Sequence, residues 1–152
     1  MRMAIEEAKK ASLIGEVPIG AVLVKDNKIV SSAHNMPIKL NDPSAHAEIN
    51  VLRDAGEKIG NYRLNECNLY VTLEPCSHYG KTPPCTNIII DKKISRLVFG
   101  AHDIDERSSK RAKQILKSKK IKVKNINVPK ISEFYKPYIF QRKYKQPYVV
   151  GK

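Results

Sequence analysis

The string SAHAEINVLR at residues 44–53, answered by TLEPCSHYGKTPPC at residues 72–85, decides how this chain is read. Ser44 has the side chain of a helix N-cap, and the spacing that follows predicts a helix from about Ala45 to Ala55, with Gly56 near its end. His46 and Glu48 then stand in its first turn. The apolar run CNLYVTL (67–73) predicts a strand that delivers Cys76 just past its end, and Cys85 follows nine positions later, ahead of a short apolar helix in TNIIIDKK. One histidine nitrogen and two cysteine sulfurs form a donor set that suits Zn2+ and leave one coordination position open, where zinc lowers the pKa of a water toward neutrality. Glu48, two residues from His46, is placed to carry that proton without binding the metal. A helix start and a strand end also favour thiolate at the cysteines. A closed structural zinc site would instead need a fourth ligand, for which His78 in the intervening loop is the candidate.

Working outward, residues 1–14 carry helical apolar spacing that ends at Gly15; the spacing begins at the first residue, so the start of this helix is expected upstream. VPIGAVLV (17–24), the polar turn KDNK and IVSSAH (29–34) read as a β-hairpin. Downstream, Glu74 to Pro84 is a loop with three prolines. RLVFGA (96–101) is a strand, SSKRAKQILKSKK a helix opened by serines, and IKVKNINV a strand. ISEFYKPYIF is a last helix interrupted at Pro137, and the closing PYVVGK reads as the beginning of another strand. Strands alternate with helices after the hairpin, which predicts an α/β fold with a five-stranded mixed sheet and helices on both faces.

With 152 residues, 41% of them hydrophobic and 28% charged, the chain has the profile of one globular domain. No run approaches the roughly 18 apolar residues a membrane span needs, and the first residues alternate apolar with charged side chains, so a cytoplasmic protein with no membrane partner is expected. Three cysteines exclude a disulfide framework. Charge is divided unevenly. Residues 1–106 hold 13 Lys and Arg against 14 Asp and Glu, whereas residues 107–152 hold 15 against the single Glu133, so the net +13 sits entirely in the last third. Such a region can track a phosphate backbone. A lysine bias in AT-rich coding produces the same composition on a merely solvated surface, and the two readings carry equal weight.

The H-x-E and Pro-Cys pattern resembles the zinc-dependent cytidine and deoxycytidylate deaminase superfamily, over nearly the whole chain. The resemblance implies the three-layer αβα cytidine deaminase fold, one Zn2+ per chain on His46, Cys76 and Cys85, Glu48 as the proton shuttle, and hydrolytic deamination as the activity. Two branches compete for the substrate. EVPIGAVLVKDNKIV, NDPSAHAEINVLR and NYRL look like bacterial tRNA adenosine deaminases, whereas TLEPCSHYGKTPPCTNIII resembles the pyrimidine deaminase of riboflavin biosynthesis, in which eight residues also separate the cysteines. DIDERSSKRAKQILKSKKIKV and the C-terminal residues resemble that second enzyme up to where its reductase domain begins. The domain reading is therefore a deaminase over residues 1–140 and a basic tail over 141–152 like the start of a missing reductase.

The ligand-bearing loop is weighted most heavily, so the expected activity is deamination of diaminohydroxyphosphoribosylaminopyrimidine, a pyrimidine nucleotide. The alternative is a wobble-position tRNA adenosine deaminase with tRNA as partner, and a third reading is a non-catalytic zinc protein with a nucleic-acid face. Substrate contacts are expected from Asn35, Ala47, His78 and Lys81, the last two suited to a 5′-phosphate. The plainer role of Asn35 is to cap or turn the backbone. Cys67 is expected as a small buried residue, and His34, His102 and the C-terminal tyrosines in structural roles. The family resemblance also implies a homodimer.

Overall fold

The computed structural model describes residues 1–105, 107 and 109–145. Its elements are α1 (Arg2–Leu13), β1 (Gly20–Lys25), β2 (Lys28–His34), α2 (Ala47–Ile59), β3 (Asn68–Leu73), α3 (Cys85–Asp91), β4 (Arg96–Ala101), α4 (Arg111–Ser118), β5 (Lys122–Asn125), α5 (Pro129–Phe134) and α6 (Lys136–Tyr144). Asp26 and Asn27, at φ of 49° and 59°, make the tight turn that folds β1 back on β2. The five strands form one sheet in the order β2-β1-β3-β4-β5. β1 runs antiparallel to β2 and β3, while β3, β4 and β5 are parallel, so the sheet is mixed as the sequence predicts.

Side-chain alternation along the strands sorts the helices into layers. Ala21 and Leu23 of β1, Leu69 and Val71 of β3, and Leu97 and Phe99 of β4 share one face by their register. They form one core cluster with Ala47, Val51, Leu52 and Ala55 of α2, Ile89 of α3 and Leu116 of α4. The opposite face carries Gly20, Thr72 and Gly100. A Cβ at Gly20 would fall on the Ala4 carbonyl, so only glycine lets α1 lie against β1. A Cβ at Gly100 would collide with Ile131 of α5 and come within 2.9 Å of the Thr72 carbonyl. Tyr135, at the junction of α5 and α6, is buried on this side; its hydroxyl donates to the Pro18 carbonyl at 2.6 Å and lies 2.8 Å from Thr72 Oγ1. The result is an αβα sandwich.

Element boundaries depart from the sequence reading for local reasons. Ser44 is not the cap of α2: its N–H and hydroxyl both donate to Asp42 Oδ1, and the cap position belongs to His46. α2 runs through Gly56 and stops at Gly60, whose φ of 68° closes the helix with backbone bonds to Glu57 and Gly56. The last helix divides after Phe134, with Pro137 in the first turn of α6, where its missing N–H is tolerated. α6 runs across residue 140, the expected boundary of the basic tail. The strand expected in PYVVGK lies outside the described residues. Among the described residues no helix is long and apolar enough to cross a membrane.

Candidate active site

α2 and α3 aim their N-termini at one point beside the carboxyl end of β3, and the metal-ligand candidates sit there. His46 caps α2 in an extended conformation, φ −69° and ψ 154°, which turns its ring away from the helix. Cys85 is the first residue of α3, behind Pro84, and is fully buried. Its N–H donates to Cys76 Sγ at 3.1 Å, and the Thr86 N–H donates to the Cys76 carbonyl at 3.2 Å, so the end of the β3 strand is stitched to the start of α3. His46 Nδ1 lies 3.2 Å from Cys85 Sγ. One ligand atom from each of His46, Cys76 and Cys85 lies within 4.8 Å of the others, a group that could hold a metal ion. His78 lies outside that group, which leaves the closed four-ligand site of the structural-zinc reading without its fourth ligand.

The donor chemistry fits zinc. Hydrogen bonds from the Cys85 thiol and N–H and from His46 pull the Cys76 thiol down toward thiolate, while the same Cys76 partner and burial push Cys85 up. Glu48, in the first turn of α2, is 3% exposed, and its Oε2 is buried without a hydrogen-bond partner. Burial raises its carboxyl to about 7, against the lowering effect of His46 and with a further rise from Cys76. A buried carboxylate oxygen left unpaired beside a His/Cys/Cys cluster is costly unless something positive or protic meets it.

A pocket of about 210 Å³ opens on this cluster, lined by Asn35, His46, Glu48, Cys76 and His78 on one side and by Glu74, Asp103, Asp105, Arg107 and Tyr138 on the other. Asn35 is buried, and its Oδ1 accepts the Ala47 N–H at 2.7 Å, so it ties the end of β2 to the start of α2 while forming pocket wall. Ala47 is buried in the core cluster and does not line the pocket. Lys81 is exposed and outside the lining, whereas His78 is in it. The far wall escaped the sequence reading. Glu74 Oε2 accepts His102 Nδ1 at 2.7 Å and the Lys110 N–H at 3.0 Å, while its Oε1 is buried without a partner. Burial raises the Asp103 carboxyl, and the neighbouring Asp105, Glu74 and Cys76 add to the rise. One signal pointed there: Glu74 and Asp103 follow the carboxyl ends of parallel strands, where α/β sheets place their ligands. His34 and His102 do have structural roles, each beside a buried carboxylate, Glu7 at 2.8 Å and Glu74 at 2.7 Å. Cys67 is buried as expected.

Known proteins agree with this geometry. Residues 1–101 match the model of the cytidine and deoxycytidylate deaminase zinc-binding region. A tRNA-specific adenosine deaminase of Haemophilus influenzae is 49% identical over 104 residues, which are 68% of this chain and 57% of the relative. The chain thus spans little more than half of that relative's length. A solved structure from work on A-to-I editing by tRNA:A34 deaminases at the wobble position of transfer RNA is 46% identical, with a TM-score of 0.63 over 68% of this chain and 75% of its own. The Thermotoga maritima diaminohydroxyphosphoribosylaminopyrimidine deaminase and 5-amino-6-(5-phosphoribosylamino)uracil reductase superposes with a TM-score of 0.81 at 34% identity, over 97% of this chain and 41% of its own.

These relatives overturn the expected pyrimidine-nucleotide substrate. Bacterial proteins 40 to 50% identical to this chain are named tRNA-specific adenosine deaminases, and the riboflavin-type resemblance is structural and at lower identity. The physical reason lies in the loop that carried the expectation. The Cys85 N–H donates to Cys76 Sγ and the Thr86 N–H to the Cys76 carbonyl, and of the residues between the cysteines Tyr79, Gly80, Lys81 and Pro83 are exposed. The two ligands are thus held by bonds at the ends of the loop, and its length does not by itself report the substrate.

Proposed function

Because the chain belongs to the cytidine and deoxycytidylate deaminase zinc-binding family, we propose that it is a zinc-dependent hydrolase that deaminates adenosine in a tRNA, at the wobble position of the anticodon. The substrate assignment rests on the relatives that are 40 to 50% identical over 101 to 104 residues. The chemistry rests on one observation: the unpaired, buried Glu48 Oε2 beside the His46, Cys76 and Cys85 cluster.

His46, Cys76 and Cys85 would hold a zinc ion, which would supply Lewis-acid chemistry beside Glu48. Cys76 is already biased to thiolate, whereas Cys85 would give up its proton on binding the metal. Glu48 accepts a proton from the water that attacks C6 and gives it to the ring nitrogen; it then carries the remaining hydroxyl proton to the amine as the bond from C6 to nitrogen breaks, so ammonia leaves and a carbonyl remains. A carboxyl raised to about 7 suits both halves of that exchange near neutral pH. Asn35 and His78 border the ring's position, and Asn35 holds the start of α2, hence His46 and Glu48, in register with β2.

The test is inosine formation at the wobble position of an adenosine-34 tRNA by the zinc-loaded protein. Stoichiometric conversion, absent when guanosine occupies that position, supports the assignment. A zinc-replete protein that leaves the adenosine intact would overturn it.

A further inference from the structure

The family match ends at residue 101, yet the whole charge excess lies beyond residue 106. The fold divides that excess between opposite ends of the sheet. β4 runs from Arg96 to Ala101, and at about 3.3 Å per residue its ends are about 17 Å apart. Lys122 of β5 pairs in register with Arg96, at the end remote from the metal-ligand cluster, and Lys119 and Lys120 line a groove there with Ser95 and Ile121. Past Ala101, at the other end, the chain returns beside the pocket. There a trough of about 840 Å³ is lined by Arg107, Ser109, Ile139, Lys143 and Lys145, and it shares Asp103, Asp105 and Arg107 with the walls of the catalytic pocket.

The trough is built rather than incidental to a charged surface. α6 is anchored by Tyr138 and Ile139, which pack on Leu73, Ile131 and Tyr135. Lys143 stands four residues beyond Ile139, on the same helical face, so the packing that seats the helix also turns this lysine to the trough. Arg107 grips Asp105 through Nε at 2.9 Å and Nη2 at 2.6 Å, which neutralises the acid that would otherwise repel an anion. Asp103 is half-buried in the shared wall, and the exposed Lys143 and Lys145 outnumber it, which leaves the lining net positive. An open, cationic channel that runs from the reacting centre matches a chain of phosphates continuing away from a bound base.

We propose that this trough holds the phosphate backbone flanking the target nucleotide, and that the lysines at the far end of the sheet take no part in binding the RNA. The proposal rests on the reading of the chain as a tRNA deaminase and adds to it the place where the strand leaves the site. It also resolves the even choice left by composition: part of the basic third binds nucleic acid and part is solvated surface.

The experiment compares two matched double variants, Lys143→Gln with Lys145→Gln in the trough and Lys119→Gln with Lys122→Gln at the far end, both checked for wild-type zinc content. Binding of an adenosine-34 tRNA is followed against salt concentration. Each lost phosphate contact lowers the slope of log affinity against log salt by about 0.7 to 0.9, so the trough variant is expected to lose about 1.4 to 1.8 from the wild-type slope. The far-end variant is expected to keep that slope. In deamination assays the trough variant should raise KM with kcat held, since no proton-carrying group has changed. Equal slopes in the two variants, or a loss confined to the far-end pair, would overturn the trough. Failure of the wild-type protein to make inosine would overturn the functional reading instead, and the slopes, which need binding alone, still decide the trough.

Discussion

The first 101 residues and the described residues that follow them use polar groups in opposite ways. Up to Ala101 the polar side chains that matter are buried: Glu7, Asn35, Glu48, Thr72 and Glu74 are each less than 9% exposed and most are hydrogen-bonded to another element. Beyond it the lysines whose side chains the structure describes face water, and a few apolar side chains, Leu116, Ile131 and Tyr135 among them, fix the helices that carry them. Burial fixes position, which chemistry at a metal requires. Exposed lysines give up that precision and supply long-range attraction to an anionic partner instead. The two thirds of the chain that match the family model are thus built for reaction, and the described residues outside the match are suited to holding a polyanion.

The largest effects should come from breaking the buried region. Cys85→Ser removes a sulfur that is at once metal-ligand candidate and first residue of α3, and it should leave the purified protein without stoichiometric zinc and without measurable deamination. Metal analysis checks it directly: an unchanged zinc content would show that Cys85 is not a ligand. Glu48→Gln should keep the zinc and lower kcat by about 10² to 10⁴-fold, the usual contribution of a positioned general acid and base. Near-normal turnover by that variant would remove Glu48 from the proton path.

The sequence displayed this division unevenly. The hairpin was legible because Asp26 and Asn27 are residues that accept left-handed backbone, and the five strands because their apolar runs are short and bounded by turns. His46, Glu48, Cys76 and Cys85 were legible because the donor types and their placement at element ends are local signals. The cap of α2 was misread because Ser44 could serve as well in a turn on Asp42, and propensity alone does not rank those partners. Glu74, Asp103, Arg107 and Tyr138 were missed because they meet only through β-strand register and the return of α6, across spacings with no local pattern. The substrate was misjudged because bonds at the ends of the loop hold the two ligands, and the length of chain between them costs only about 0.6 kcal/mol per doubling.

Two intermediate effects sharpen the boundary between the regions. Ile131→Ala empties the space that Gly100 keeps clear on β4, and should destabilise the fold by about 2 to 5 kcal/mol while leaving zinc content unchanged. Thermal or denaturant unfolding measures it, and a loss below 1 kcal/mol would mean that α5 is not seated on the sheet. Tyr135→Phe keeps the ring and deletes the hydroxyl that joins Pro18 and Thr72, with an expected loss of about 1 to 3 kcal/mol because the part-buried Pro18 carbonyl and the buried Thr72 hydroxyl lose their partner. The relevant contrast is a joined transition in the wild type against earlier protease cleavage within residues 129–145 in the variant.

The smallest effect tests whether burial in the first region stabilises as well as positions. Glu7 lies between α1 and β2; burial pushes its carboxyl up, but hydrogen bonds from Lys10 at 2.7 Å and His34 at 2.8 Å outweigh that and hold it below its usual 4.5. A carboxyl depressed in the folded state contributes stability that is fully present above its unfolded value and is lost as pH falls through its folded value. For Glu7 that window begins near pH 4.5 and extends downward. Glu7→Gln should therefore be less stable than the wild type at pH 7, by on the order of 1 kcal/mol given the exposure of Lys10. It should lose less between pH 5 and pH 3, so the two unfolding curves draw together in acid. A constant gap across that range would mean that the carboxylate acts by shape alone and that its ion pair adds nothing, leaving the buried region stabilised by packing rather than by its charges.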